Sequence, residues 1–298
     1  MCWPKWAPPD PLAEPATTLA DWRRAAAGRL AGDNATDNAE AEARWLAEHV
    51  LGLTTTQLIL ADPRTLAIVD HERLEAALAR RLSGVPLAQI IGRADFGPLE
   101  LRVTPDVLIP RADTEVLVET VLATFAAERD LHVIDLGTGS GAIALMLADA
   151  RPGWHITATD RSPAALTVAR DNAAALGLGR VVFIESDWFA NLGHQRFDVV
   201  VANPPYIAPE DTHLAALTHE PRQALVAADH GLADLAVIAT TAPQHLRPGG
   251  GLFVEHGYDQ GQAVRALLLA AGFSDVLTRA DHAGRDRVTG GLVNRGDE

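Results

Sequence analysis

Cysteine is nearly missing from the 298 residues: Cys2 stands alone, which excludes an internal disulfide and a multi-cysteine metal site and suits a reducing compartment, the cytoplasm by default. Basic residues are also short in supply. Lys and Arg total 25 against 39 Asp and Glu, for a net charge of −14, the wrong sign for a protein held to nucleic acid by phosphate contacts. Long apolar runs are lacking, since a stretch such as AIALMLA at 142–148 falls far short of the roughly 20 residues needed to cross a bilayer; no membrane span is expected. The start, MCWPKWAPPDP, has four prolines in eleven residues and no apolar run behind a basic head, so a disordered tail over residues 1–16 is expected rather than a signal peptide. The scattered histidines, among them His213, His219 and His256, show no ligand spacing, and no metal site is expected.

What is present is ordinary globular material, 48% hydrophobic and 21% charged, enough for one large domain and one small. Residues 17–84 are rich in Ala, Leu, Arg and Glu at helical spacing, with N-cap signals and closing Gly or Pro, which predicts a small helical bundle with Trp22, Trp45 and Leu46 in its packing. Residues 85–108 alternate apolar and polar around Gly97-Pro98, the pattern of a β-hairpin linking two domains. From 109 to 298 short apolar runs alternate with helical segments, predicting an α/β domain with a mostly parallel sheet covered on both faces, closed by two antiparallel strands near 275–279 and 287–293.

Ligands of such sheets bind at the carboxyl ends of the strands, and the suggestive motifs all sit there. Gly137-Thr138-Gly139-Ser140-Gly141 follows a strand and opens a helix, so its backbone can approach a nucleotide-like guest closely; an ordinary tight turn reads the same, and the spacing departs from the dinucleotide fingerprint. Asp160 ends the next strand, nineteen residues on, where it can accept from both ribose hydroxyls or cap the following helix. Asp187 and Trp188, after the third strand, can meet an adenine amine and cover a ring face. After the fourth, Asn203-Pro204-Pro205-Tyr206 offers the Asn203 side-chain oxygen and the Pro204 carbonyl without a competing donor, because proline has no N–H. Two such acceptors select a planar NH₂ group, on which Tyr206 can stack. Adenine and glutamine satisfy this equally.

DLGTGSG, Asp160 and NPPY together resemble class I S-adenosylmethionine-dependent methyltransferases that modify a planar nitrogen. IIGRADFGPLELRVTPDVLIPRADTEVLVE at 90–119, SDWF, NPPYI, EPRQALVAADHGLAD at 220–234 and GRDRVTGG are similar to the PrmC/HemK family, which methylates the glutamine of the Gly-Gly-Gln motif in peptide chain release factors. The resemblance implies a Rossmann-like seven-stranded sheet, an N-terminal domain that grips the release factor, and S-adenosylmethionine as cofactor. It also implies that Gly137 through Gly141, Asp160, Asp187, Trp188 and Asn203 bind that cofactor. Asn203, Pro204, Pro205 and Tyr206 would hold the glutamine, with Asn203, Pro204 and Tyr206 catalytic. Glu220, Pro221 and Arg222 would help close the site. Pro110-Arg111-Ala112 departs from the family's Pro-Arg-Pro. A monomer is compatible with the sequence, which does not itself reveal the oligomeric state, and the acidic charge leaves no direct nucleic-acid contact expected. An adenine methyltransferase of DNA or RNA is the alternative, disfavoured by the acidic charge; a dehydrogenase-like nucleotide-binding module is disfavoured by the glycine spacing.

Overall fold

The computed structural model describes residues 17–32, 36–127 and 130–294; the tail expected over 1–16 lies outside them. Two compact units divide between Ile91 and Gly92.

The first unit holds α1 (Leu19–Gly32), α2 (Ala39–Leu51), α3 (Thr55–Ala61), α4 (Ile68–Leu82) and α5 (Leu87–Ile91). Helical spacing brings Ala43, Leu46, Ala47 and Val50 to one buried face of α2, which packs with Trp22, Leu30, Leu58, Leu74 and Leu78 of the neighbouring helices. Gly52, at φ +64°, ends α2 in the left-handed conformation and returns its N–H to the Glu48 and His49 carbonyls. Thr54 and Gln57 form a capping box at the head of α3. Trp45, expected in the core, is 39% exposed, with the Arg44 guanidinium 5.6 Å from its ring centre. It falls one position before the buried stripe at Leu46, and a helix turns by about 100° per residue.

The second unit begins with a hairpin, β1 (Arg93–Phe96) and β2 (Leu99–Arg102), and continues through α6 (Ala112–Thr124), β3 (His132–Leu136), α7 (Ala142–Ala150), β4 (His155–Asp160), α8 (Pro163–Ala175), β5 (Val182–Glu185) and β6 (Phe197–Ala202). It ends with α9 (Ala233–His245), β7 (Leu246–Glu255), α10 (Gly261–Ala270), β8 (Ser274–Ala280) and β9 (Asp286–Leu292). The hairpin is shorter than its sequence pattern suggests. Residues 87–91 were expected to be extended, but they form a helical turn that buries Ile90. Asn172 of α8 accepts from Arg102 N–H at 2.7 Å and donates to the Arg102 carbonyl at 3.0 Å, which fastens the hairpin to the second unit.

The sheet has the order β5-β4-β3-β6-β7-β9-β8. Its first five strands are parallel, and β9 runs antiparallel to both of its neighbours, β7 and β8, as the missing helix between β8 and β9 implies. β3 and β6 are buried along nearly their whole length, because helices cover both faces and leave no polar side to alternate toward. Strand order reverses around β3, and the register aligns the carboxyl ends there: Leu136 lies beside Thr159 on one side and Ala202 on the other. Among the described residues, no helix is long and apolar enough to cross a membrane.

Candidate active site

Chain reversal at the end of β3 uses left-handed glycines at 137, 139 and 141, with φ of +71°, +55° and +88°, a region that penalises any residue with a Cβ. A Cβ on Gly137 would also stand 3.2 Å from Cζ3 of Trp188, so the bare backbone lets that indole settle against the turn. The other residues of the loop face elsewhere. Thr138 donates to buried Asp135 Oδ2 at 2.6 Å, the Ser140 carbonyl accepts from Asn172 at 2.8 Å, and a Cβ on Gly141 would press Leu145 at 3.0 Å and Ala169 at 3.3 Å. Burial lifts the Asp135 carboxyl from its usual range to about 7, against the pull of the Thr138 hydroxyl.

Gly137 and Gly139 do line a cleft open to solvent, together with Asp160, Asp187, Trp188, Asn203 and Pro205. Asp160 is held by two amides: Oδ2 accepts from Gly139 N–H at 2.9 Å and Oδ1 from Ser162 N–H at 2.8 Å. Each carboxylate oxygen keeps further lone-pair capacity. The capping role belongs to Ser162, whose hydroxyl accepts from Ala165 N–H. Trp188 has φ +46°, a costly conformation for a bulky residue; Ser186 stabilises it by donating to the Trp188 carbonyl at 2.9 Å while accepting from Asn191 N–H at 3.0 Å.

Asn203 leaves β6 directly beside this cleft, and its Nδ2 donates to Thr114 Oγ1 of α6 at 3.1 Å. Among the described residues no donor meets its Oδ1, and no N–H meets the Pro204 carbonyl. Pro204 and Tyr206 lie outside the set that lines the cleft. Tyr206 is half-buried, its hydroxyl donating to Glu255 Oε1 at 3.2 Å, and burial together with Glu255 pushes its ionisation far upward. Glu255, 1% exposed at the end of β7, has its own carboxyl raised to about 7 by burial, which the Thr114 hydroxyl and the Arg287 guanidinium oppose. Arg287 in turn pairs with Asp113 and Asp281 at 3.1 Å each.

The sequence and the fold that carry this cleft both find relatives among known proteins. Residues 21–92 match the family described as "PrmC N-terminal domain" and residues 112–231 that described as "Methyltransferase small domain". A release factor glutamine methyltransferase of Burkholderia pseudomallei is 49% identical over 260 residues, covering 85% of this chain and 91% of that protein. That of Escherichia coli is 42% identical over 270 residues, covering 90% and 96%. The chain belongs to the release factor glutamine methyltransferase family. The methyltransferase fold is shared more widely: a Thermus thermophilus 16S rRNA N2 G1207 methyltransferase, solved with AdoMet and guanosine, superimposes with a TM-score of 0.51 at 23% identity over 68% of this chain and 50% of that one.

In this family member the flanking motifs form the frame of the cleft. Glu220, 7% exposed, accepts from Ile109 N–H at 3.0 Å and pairs with Arg111, tying the segment before α6 to the loop after the corner. Pro221, Gln223 and Ala224 then line the cleft together with Asp106, Val107 and Leu108. The Arg222 carbonyl accepts from Leu225 and Val226 N–H, so this residue builds the turn. Ile207 bridges to Val226, its N–H donating to the Leu225 carbonyl at 2.9 Å, and Gln260 donates to the Tyr206 carbonyl at 3.0 Å. His256 is structural, bonded to the Gly257 carbonyl and Thr289 Oγ1 at 2.8 Å each.

Sequence reasoning assigned no role to Thr114, Asp113, Glu255 or Arg287. Thr114, Asp113 and Arg287 lie inside the segments that carried the family resemblance. Glu255 ends an apolar strand just as Asp160 does, so the same signal was available.

Proposed function

We propose that this protein transfers a methyl group from S-adenosylmethionine to the side-chain amide nitrogen of the glutamine in the Gly-Gly-Gln motif of peptide chain release factors. The observation that carries this reading is the corner at 203–206: among the described residues no donor meets the Asn203 Oδ1 or the Pro204 carbonyl, next to a cleft with a glycine turn and a terminal acid.

The cleft fits the cofactor. Gly137 and Gly139 line it with bare backbone, Asp160 keeps lone pairs for the ribose hydroxyls, and Asp187 with Trp188 would flank the adenine. The cofactor supplies an electrophilic sulfonium methyl.

An amide nitrogen is a poor nucleophile because its lone pair is shared with the carbonyl. Two acceptors on its two N–H groups stabilise the positive charge that develops as it attacks and hold it in line at a fixed distance. Tyr206 supports the plane of the amide, and Glu220 holds the surrounding loop in place. No side chain is assigned as a dedicated base; the amide proton leaves to solvent after transfer.

The test is labelled S-adenosylmethionine incubated with a purified release factor, with the same factor lacking the Gly-Gly-Gln glutamine, and with DNA. Label is expected on the first alone. Equal labelling of both factors, of neither, or of the DNA would overturn the reading.

A further inference from the structure

Pro204 and Pro205 have no N–H to donate, so the corner has to be fastened by its carbonyls and by the residues at its two ends. At the entry, Asn203 Nδ2 donates to Thr114 Oγ1 at 3.1 Å. At the exit, Ile207 N–H donates to the Leu225 carbonyl at 2.9 Å, and the Ile207 carbonyl accepts from Ala227 N–H at 3.0 Å. The Tyr206 carbonyl, just before, is held by a side chain from another loop. Gln260 Nε2 donates to it at 3.0 Å and to the His230 carbonyl at 3.1 Å, while Gln260 Oε1 accepts from Gly257 N–H at 2.8 Å.

The orientation of this amide has no second solution. A backbone carbonyl only accepts and a backbone N–H only donates, so a flipped Gln260 would set oxygen against two oxygens and NH₂ against an N–H. Its own helix makes no use of the side chain either. Gln260 is the N-cap residue of α10, where a side chain ordinarily accepts from the first turn; it makes no such bond, and its backbone carbonyl accepts from Val264 N–H at 3.0 Å instead. The second carbonyl it holds belongs to a strained turn. Asp229, His230 and Gly231 have φ of +53°, +53° and +83°, a run of left-handed residues that persists only where the surroundings impose it. This run brings Gly231 so close to the corner that a Cβ on it would stand 2.0 Å from the Tyr206 carbonyl oxygen.

We infer that Gln260 is a positioning residue for the transfer: by holding the Tyr206 carbonyl against the 229–231 turn, it sets where the Tyr206 side chain meets the glutamine amide. This rests on the reading of residues 203–206 as the glutamine site. Chain connectivity suits the role. β7 runs parallel to β6, with Val254 opposite Ala202, so the loop that carries Gln260 and the corner leave the sheet at the same edge. Gln260 lies outside the set that lines the cleft, and its effect belongs to the amide and not to the cofactor.

Gln260→Met keeps the length of the side chain and removes all three bonds. Gln260→Glu keeps the acceptor for Gly257 N–H and sets an anionic oxygen against two carbonyls. Each should lower kcat at least about tenfold, read in single turnovers with labelled S-adenosylmethionine so that slow variants remain measurable. Release-factor KM and S-adenosylmethionine Kd should each stay within about threefold, with a thermal melt as the folding control. On a Tyr206→Ala background, Gln260→Met should cost no more than about a further twofold, because the group it positions is already gone. Turnover of both single variants within about threefold of the unaltered protein would overturn the inference. So would a double variant whose losses multiply, or cofactor affinity that falls in step with kcat, since a loosened fold would produce both. Failure of the unaltered protein to label the release factor strikes instead at the function proposed above, and with it this role.

Discussion

Replacing Asp160 by Asn changes one atom and breaks a specific pattern. Both carboxylate oxygens receive a backbone N–H, from Gly139 at 2.9 Å and Ser162 at 2.8 Å. An Asn oxygen can keep only one of these; its NH₂ must then face the other N–H donor. One charge-assisted hydrogen bond is lost, about 1.5 to 3 kcal/mol, and the surviving lone pairs no longer converge on the ribose hydroxyls. The loss falls on the cofactor, because Ser162 caps α8 with its own hydroxyl at 3.2 Å from Ala165 N–H and keeps the helix in place. A weakening of about 2 to 3 kcal/mol corresponds to roughly 30- to 150-fold in Kd at about 1.4 kcal/mol per decade. Isothermal titration with S-adenosylmethionine reads it directly, with a thermal melt as the folding control. A Kd within threefold of the unaltered protein, on a folded variant, would refute the reasoning about Asp160.

Asp135 offers a prediction in pH. Its folded carboxyl titrates near 7 against an ordinary 3.8, so the folded state holds the proton more tightly and the cost of ionising it grows as pH rises from about 4 to about 7. Asp135→Asn should remove up to roughly 4 kcal/mol of that decline in stability, about 3 kcal/mol of it between pH 5 and 8; denaturant unfolding at those two pH values reads that part, and an unchanged pH slope would contradict it. Gly231 lies under the corner at φ +83°, where a Cβ would stand 2.0 Å from the Tyr206 carbonyl oxygen and 2.7 Å from Gln260 Nε2. Gly231→Ala should lower turnover at least about tenfold by shifting Tyr206. Gly92→Ala, equally left-handed at +81° but with nothing within 4 Å, should cost only stability. Equal activity losses in the two variants would point to backbone strain alone.

The acidic residues at strand ends divide into those that sequence reasoning could place and those it could not. Asp160 was legible because it falls at a regular interval after a glycine turn, and that spacing alone puts it on the sheet edge. In the same motif the Thr138 hydroxyl and the Ser140 carbonyl are bonded inside the protein, to Asp135 and Asn172, and Gly141 sits against Leu145 and Ala169. A motif places the backbone at the edge and leaves open which groups look out. Trp45 shows the same limit in a helix, where a single-residue step separates a buried from an exposed position. Residues 87–91 show it for local conformation, since five residues, four of them apolar, serve a strand or a helical turn equally.

By itself, sequence determined what depends on local order: the helical bundle, the alternation that makes a parallel sheet, the glycines that need left-handed backbone, and the two donor-free prolines of the corner. Tertiary structure decided what the Asn203 side chain meets beside the cleft, because its Nδ2 donates to Thr114 Oγ1, 89 residues away along the chain. A hydrogen bond has a direction, and that direction is set by the partner, which only the folded chain brings within reach.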